Sequence, residues 1–336
     1  MKERIEYIDL AKGICILLVI QIHVYGDTSF GIFQEMSIFR MPLYYFLSGI
    51  FFKTYGNFVL FFKKKANKLL LPFFVFFIFS IIPLHLYLDF LLPNREITIQ
   101  DLFMSDHGRL YHRYNGAIWF LISLFFSNLF FYVIYTLSKG QSLPIVIASS
   151  ICGIIGYFLN YADKYLPLWF DTSLTTLPFF VMGYITRHNT KFISTNFCRK
   201  DYLFISISLL SLLGVLLINK TTNNQLIDFD LNRYNVGLAC LYIGGLSGTY
   251  LILFISKKLN KVLLVSYIGR YSIVVLCTHI LYIFILRNIL YHFSIPQDNG
   301  FINTSVFIII ILLSIPTIKY GIKYLPTIFS QNDLWK

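Results

Sequence analysis

Asp9, Lys12 and His23 are three ionisable side chains inside one apolar run, Ile8-Asp9-Leu10-Ala11-Lys12-Gly13-Ile14-Cys15-Ile16-Leu17-Leu18-Val19-Ile20-Gln21-Ile22-His23. An imidazole can take a proton from a hydroxyl near neutral pH, an ammonium can hold an anion, and a carboxylate can orient either. On a helix at ~100° per residue the three fall within about 60° of one another. Lys12 and His23 are then about 16 Å apart along the axis, so one polar stripe runs the length of the helix. At mid-bilayer such groups cost roughly 2.5 kcal/mol or more each. They normally face a bundle interior or a wet cavity and mark a functional path.

The elements that must position them are membrane spans. The chain has 336 residues, 57% hydrophobic and 13% charged, against about 25% charged in soluble domains. The 35 Phe and 24 Tyr suit a membrane core with aromatic belts. Hydropathy predicts an all-α polytopic membrane protein with about ten transmembrane helices in one bundle, at 8–25, 40–56, 69–92, 117–138, 143–160, 172–187, 202–219, 235–256, 271–290 and 301–320. Residues 1–336 are expected to form a single domain, with no cleavable signal peptide. If the N-terminus is cytoplasmic, alternating spans place 20 of the 28 basic residues on that side, among them Lys53, Lys63, Lys64, Lys65, Lys68 and Arg187. This bias predicts that both the N- and C-termini are cytoplasmic in a multi-pass protein of the cell (inner) membrane. It also accounts for the net charge of +12 without nucleic acid. The five cysteines show no CxxC spacing, no metal motif is present, and no metal is expected.

Other residues have two readings each. Lys65 and Lys68, three apart in Phe62-Lys63-Lys64-Lys65-Ala66-Asn67-Lys68, are either ordinary anchors to anionic lipid or a clamp for a polyanionic ligand. Arg40 and Glu35, at about the depth of His23, are interfacial residues or groups that orient His23 or bind substrate. Trp119 is an interfacial anchor or a sugar-stacking platform. His279, deep in the ninth span, bonds a neighbouring helix or lines the cavity. The loop 93–116, with His107 and His112, and the loop 220–234, with Asp228 and Asp230, are expected on the outer side.

Several of these stretches resemble the acyltransferase-3 family of integral membrane acyltransferases, and within it the sugar O-acetyltransferase branch with fucose 4-O-acetylase-like proteins. They are Tyr7-Ile8-Asp9-Leu10-Ala11-Lys12-Gly13 followed by His23, Arg40-Met41-Pro42 through Ser48-Gly49, Trp119-Phe120-Leu121, Leu177 through Tyr184, and Ile268-Gly269-Arg270-Tyr271-Ser272 with His279. The resemblance implies transfer of an acetyl group from acetyl-CoA to a hydroxyl of a cell-surface glycan or its lipid-linked precursor. It implies that His23 is catalytic and that Lys65 and Lys68 meet the donor. The family's pair is arginine, and lysine keeps the charge but loses the planar fork.

In that reading His23 is the general base, Glu35 orients it, and Arg40 or a backbone N–H stabilises the oxyanion, with a covalent acyl-histidine as the alternative to direct transfer. Lys12, Lys65 and Lys68 contact acetyl-CoA, while Asp9, Trp119 and His279 contact the acceptor or wall its passage. A homodimer is left open. The competing expectation is a transporter or flippase for a lipid-linked sugar or anionic solute, which the polar stripe and span count would also serve.

Overall fold

The computed structural model describes residues 5–26, 36–91, 115–161, 165–193, 196–222, 227–234, 236–296 and 299–335. Glu35 and nearly all of the 93–116 loop, with His107 and His112, lie outside the described residues, as does the side chain of His85.

The regular structure of the described residues is helical, with a single isolated bridge, Asp228 to Arg233, and no strand among them. The helices are α1 (Glu6–Tyr25), α2 (Ser37–Ile50), α3 (Phe58–Lys65), α4 (Leu71–Leu91), α5 (Trp119–Leu137), α6 (Ser142–Tyr161), α7 (Phe170–Asn189), α8 (Arg199–Thr222), α9 (Leu238–Leu259), α10 (Leu263–Arg270), α11 (Ser272–His292) and α12 (Gly300–Tyr324). Among the described residues, seven helices, α1, α5, α6, α8, α9, α11 and α12, are long and apolar enough to cross a membrane. The other three expected spans coincide with α2, α4 and α7. Of these, α2 has only 14 residues, and α7 buries a polar face of Asp171, Thr172, Ser173, Thr175 and Thr176. Length and polarity thus set α2 and α7 apart from the seven, while α4 is 21 residues long.

Small residues set the closest packing. A Cβ on Gly49 of α2 would collide with the Phe180 carbonyl of α7, and one on Gly183 of α7 with the Phe46 carbonyl of α2. Gly13 of α1 and Gly269 of α10 meet in the same way, against Val265 and Asp9 backbone. Without water to drive association in lipid, backbone contact of this kind is what holds helices together. It explains why the glycines recur in the stretches that carry the resemblance. The central helix α1 packs against α2, α9, α10, α11 and α12, so its polar stripe faces neighbours rather than lipid.

Between α3 and α4 the helix widens into a π-helical segment, Ala66–Leu70. Such segments are rare and concentrate at functional sites. This one is braced by the C-terminal tail. Buried Asn67 donates from Nδ2 to the Trp335 carbonyl (2.9 Å) and accepts from the backbone N–H of Leu334 (3.1 Å) and Trp335 (3.2 Å). Lys64 pairs with Asp333, and the Ser330 hydroxyl donates to the Lys68 carbonyl (2.9 Å).

Candidate active site

Two cavities lie end to end along α1. The first, about 260 Å³, is lined by His23, Ser37, Arg40 and Trp119, with Asp228 and Asp230 from the 227–234 turn. His23, in the last turn of α1, is exposed in it. Arg40 is buried, and its Nη1 donates to the Leu18 carbonyl (3.1 Å), which fixes the guanidinium against α1. The Cys15 thiol donates to the Arg40 carbonyl (3.5 Å) and ties the same two helices one turn lower.

Beneath His23 lies His279, fully buried on α11, with ring centroids 5.4 Å apart. Its Nδ1 bonds the Val275 carbonyl at 2.8 Å. A carbonyl can only accept, so Nδ1 carries the hydrogen and neutral His279 presents a bare Nε2. That Nε2 has no hydrogen-bond partner among the described residues.

The turn that closes this cavity is held by its own backbone and by two helices. Asp228 and Arg233 exchange backbone hydrogen bonds of 2.9 and 2.8 Å. One Asp228 carboxylate oxygen accepts from the N–H groups of Asp230 and Leu231, an Asx turn. Asp230 accepts from the Trp169 indole (2.6 Å), the Thr172 hydroxyl donates to the Phe229 carbonyl (3.0 Å), and Asn232 donates to the Gly156 carbonyl (2.9 Å). Two carboxylates and Trp119 thus face His23 and Arg40. Asp228 and Asp230 were legible only as members of a polar loop. The density of Asp and Asn at 228, 230 and 232 signals a turn, but not what the turn covers.

The second cavity, about 270 Å³, is lined by Lys12, Lys65 and Lys68, with Tyr44, Tyr55 and Ser272. Val19 and Met41 line both cavities and form the partition between them. Tyr44 donates to the Lys12 carbonyl (3.0 Å), holding α2 to α1 at this level. Lys12 Nζ lies 5.6 Å from the Phe51 ring centroid and Lys65 Nζ 5.7 Å from that of Phe61. Burial, with the Lys68 charge beside it, pushes the Lys65 ammonium down to about 7. A lysine buried among other cations is destabilised as a cation and gains when an anion arrives.

The expected site residues thus divide by position. His23, Arg40 and Trp119 share one cavity, with His279 packed under the imidazole instead of lining it. Lys12, Lys65 and Lys68 share the other. Asp9 joins neither: it lines a third cavity with Lys12, at the far end of α1 from His23. Among the described residues no group of three or more His, Cys, Asp or Glu could hold a metal ion.

A helical bundle with seven membrane-length helices among the described residues, and a histidine–arginine cavity backed by a lysine cavity, defines a multi-pass membrane protein with an internal site. The chain matches the Acyltransferase domain of the acyltransferase-3 family over residues 5–319, and it belongs to that family. No curated protein and no solved structure matches it. The family makes the chain a membrane acyltransferase; the tail that braces Asn67 lies beyond the matched span.

Proposed function

We propose that this protein moves an acetyl group from acetyl-CoA to a hydroxyl of a cell-surface glycan or its lipid-linked precursor, with His23 as general base. The observation that carries the reading is the pair of adjoining cavities, one offering an imidazole and a guanidinium, the other three lysines, with Val19 and Met41 lining both. The three remaining helices, α2, α4 and α7, complete a ten-span bundle in the inner membrane with both termini cytoplasmic. The lysine cavity then opens to the side where CoA is found.

In this reading the donor's phosphates meet Lys65 and Lys68, and the thioester reaches past Val19 and Met41. Neutral His23 takes the proton of the acceptor hydroxyl as its oxygen bonds to the thioester carbonyl carbon. The carbonyl oxygen becomes an oxyanion beside Arg40, held in place before the reaction begins. The tetrahedral centre collapses, the C–S bond breaks, and the imidazolium returns the proton to the departing thiolate. The products are an ester and CoA. Trp119, Asp228 and Asp230 suit a sugar: an aromatic face for the ring and carboxylates that accept from its hydroxyl groups.

The test is transfer of labelled acetyl from acetyl-CoA to glycan acceptors in proteoliposomes. His23→Ala should reduce transfer by about 10²–10⁴-fold, with helicity and CoA affinity retained. Equal transfer by both proteins would discard the assignment. Movement of a labelled sugar across the bilayer without acetylation would support the transporter reading instead.

A further inference from the structure

A third cavity, about 360 Å³, adjoins the lysine cavity and shares Lys12 and Phe51 with it. Its other polar walls are Asp9, Lys53, Arg187 and His188. It continues into a groove of about 350 Å³ where Lys53 and His188 meet Tyr55, Tyr135 and Tyr184. Lys53 and Arg187 come from segments far apart in sequence. Each stands four residues beyond one of the glycines at which α2 and α7 touch, Gly49 and Gly183. The glycine contact therefore delivers both cations to one cavity. Both are exposed, and neither has a carboxylate within ion-pair distance among the described residues. The His188 ring stacks on Tyr184 at 4.1 Å between centroids and 27° between planes, with Nδ1 donating to the Tyr184 carbonyl (2.9 Å). The result is an aromatic floor beside two cations that no described carboxylate pairs with.

We propose that this cavity is a second anion site, which holds the 3′-phosphoadenosine end of the acyl-CoA donor through Lys53 and Arg187. The inference rests on the acetyl-CoA reading above and deepens it. CoA carries its phosphates in two places, a diphosphate next to the pantetheine arm and a monoester on the ribose. A second basic pair lets each phosphate group have its own partners. Lys65 and Lys68 stand where the arm must enter toward His23, so they meet the diphosphate. Lys53 and Arg187 lie beyond Lys12, and Arg187 supplies the fork that suits a phosphate monoester. The adenine then lies over the Tyr184–His188 stack, since every base has a face to offer an aromatic ring. An anionic lipid headgroup shares the phosphate chemistry, but it has no base to stack and no arm to thread.

The experiment measures binding of CoA and of dephospho-CoA, which lacks only the ribose phosphate, to the full-length protein in phosphatidylcholine nanodiscs. Wild-type protein should bind CoA more tightly than dephospho-CoA. Lys53→Gln with Arg187→Gln should weaken CoA by at least about tenfold and leave dephospho-CoA unchanged. Lys53→Arg with Arg187→Lys should retain the discrimination, and the thermal midpoints should agree. Equal loss of both ligands, or no loss of either, overturns the proposal. If Lys65→Gln with Lys68→Gln abolishes CoA binding while the Lys53 and Arg187 pair has no effect, the acetyl-CoA reading survives and this inference alone fails. If wild-type protein binds neither ligand, both fail together. Repeating the comparison with phosphatidylglycerol discs separates the remaining source. A double variant that loses retained phosphatidylglycerol but no CoA affinity marks a lipid site and overturns the proposal.

Discussion

The imidazoles of His23 and His279 lie 5.4 Å apart, centroid to centroid, with their planes inclined by 47°. One is exposed in a cavity and the other is fully buried, yet the buried ring keeps its Nε2 without a hydrogen-bond partner among the described residues. An unsatisfied buried polar atom costs about 1–3 kcal/mol, and such atoms call for an explanation such as catalysis or strain. On the proposed mechanism His279 would act as a positioning residue that sets the tilt of the His23 ring. His279→Ala should lower kcat by roughly 10–100-fold through the mispositioned base, leave the donor KM unchanged and shift the pH profile of kcat. Loss of stability with an unshifted pH profile would reduce His279 to a packing residue.

Lys65 offers a pH prediction. Its ammonium, pushed down to about 7 by burial and by Lys68, is charged below that value and neutral above it. Only the charged form attracts phosphate, so the donor KM should rise as pH increases through about 7. The acceptor KM should not follow. Lys65→Arg should flatten the dependence, because arginine stays charged throughout. A donor KM independent of pH between 6 and 8, as an approximate window around that value, would contradict the clamp.

Among the described residues Val19 and Met41 are the only side chains shared by the two cavities, so their bulk sets what passes. Met41→Ala should widen the partition and raise turnover of propionyl- and butyryl-CoA relative to acetyl-CoA, by about tenfold for a methylene or two. Val19→Phe should depress kcat while donor affinity holds. Unchanged acyl preference in both variants would place the passage elsewhere.

The tail contact with the π-helical segment predicts a coupled effect. Asn67, 1% exposed, makes three hydrogen bonds to Leu334 and Trp335. Asn67→Ala removes them and should cost about 1–3 kcal/mol. Deletion of residues 330–336 should release the same segment and raise the donor KM, since Lys65 and Lys68 flank Asn67. Thermal unfolding and donor titration read the two effects separately.

Gly49→Ala and Gly183→Ala should each destabilise the bundle by more than the ~1–3 kcal/mol of ordinary overpacking. In each case the new methyl meets a carbonyl oxygen of the facing helix, with no flexible side chain to give way. Wild-type melting of either variant would disprove the close approach of α2 and α7.

Within single helices much was legible from the residues alone. Apolar runs with lysine-rich ends specify helices for lipid, because an unsatisfied peptide group cannot remain in hydrocarbon. The 3.6-residue period aligns Lys12 and His23, and the recurring stretches are sufficient to indicate the family. Covalent spacing carries such information because it acts over one or two turns. Which helix faces which is settled by packing between segments hundreds of residues apart. Only that packing seats His279 under His23, brings the 227–234 turn over Arg40, sets Lys53 beside Arg187, and moves Asp9 to the opposite end from the imidazole. Backbone contact at Gly49, Gly183, Gly13 and Gly269 selects those neighbours, and no period along the chain records them.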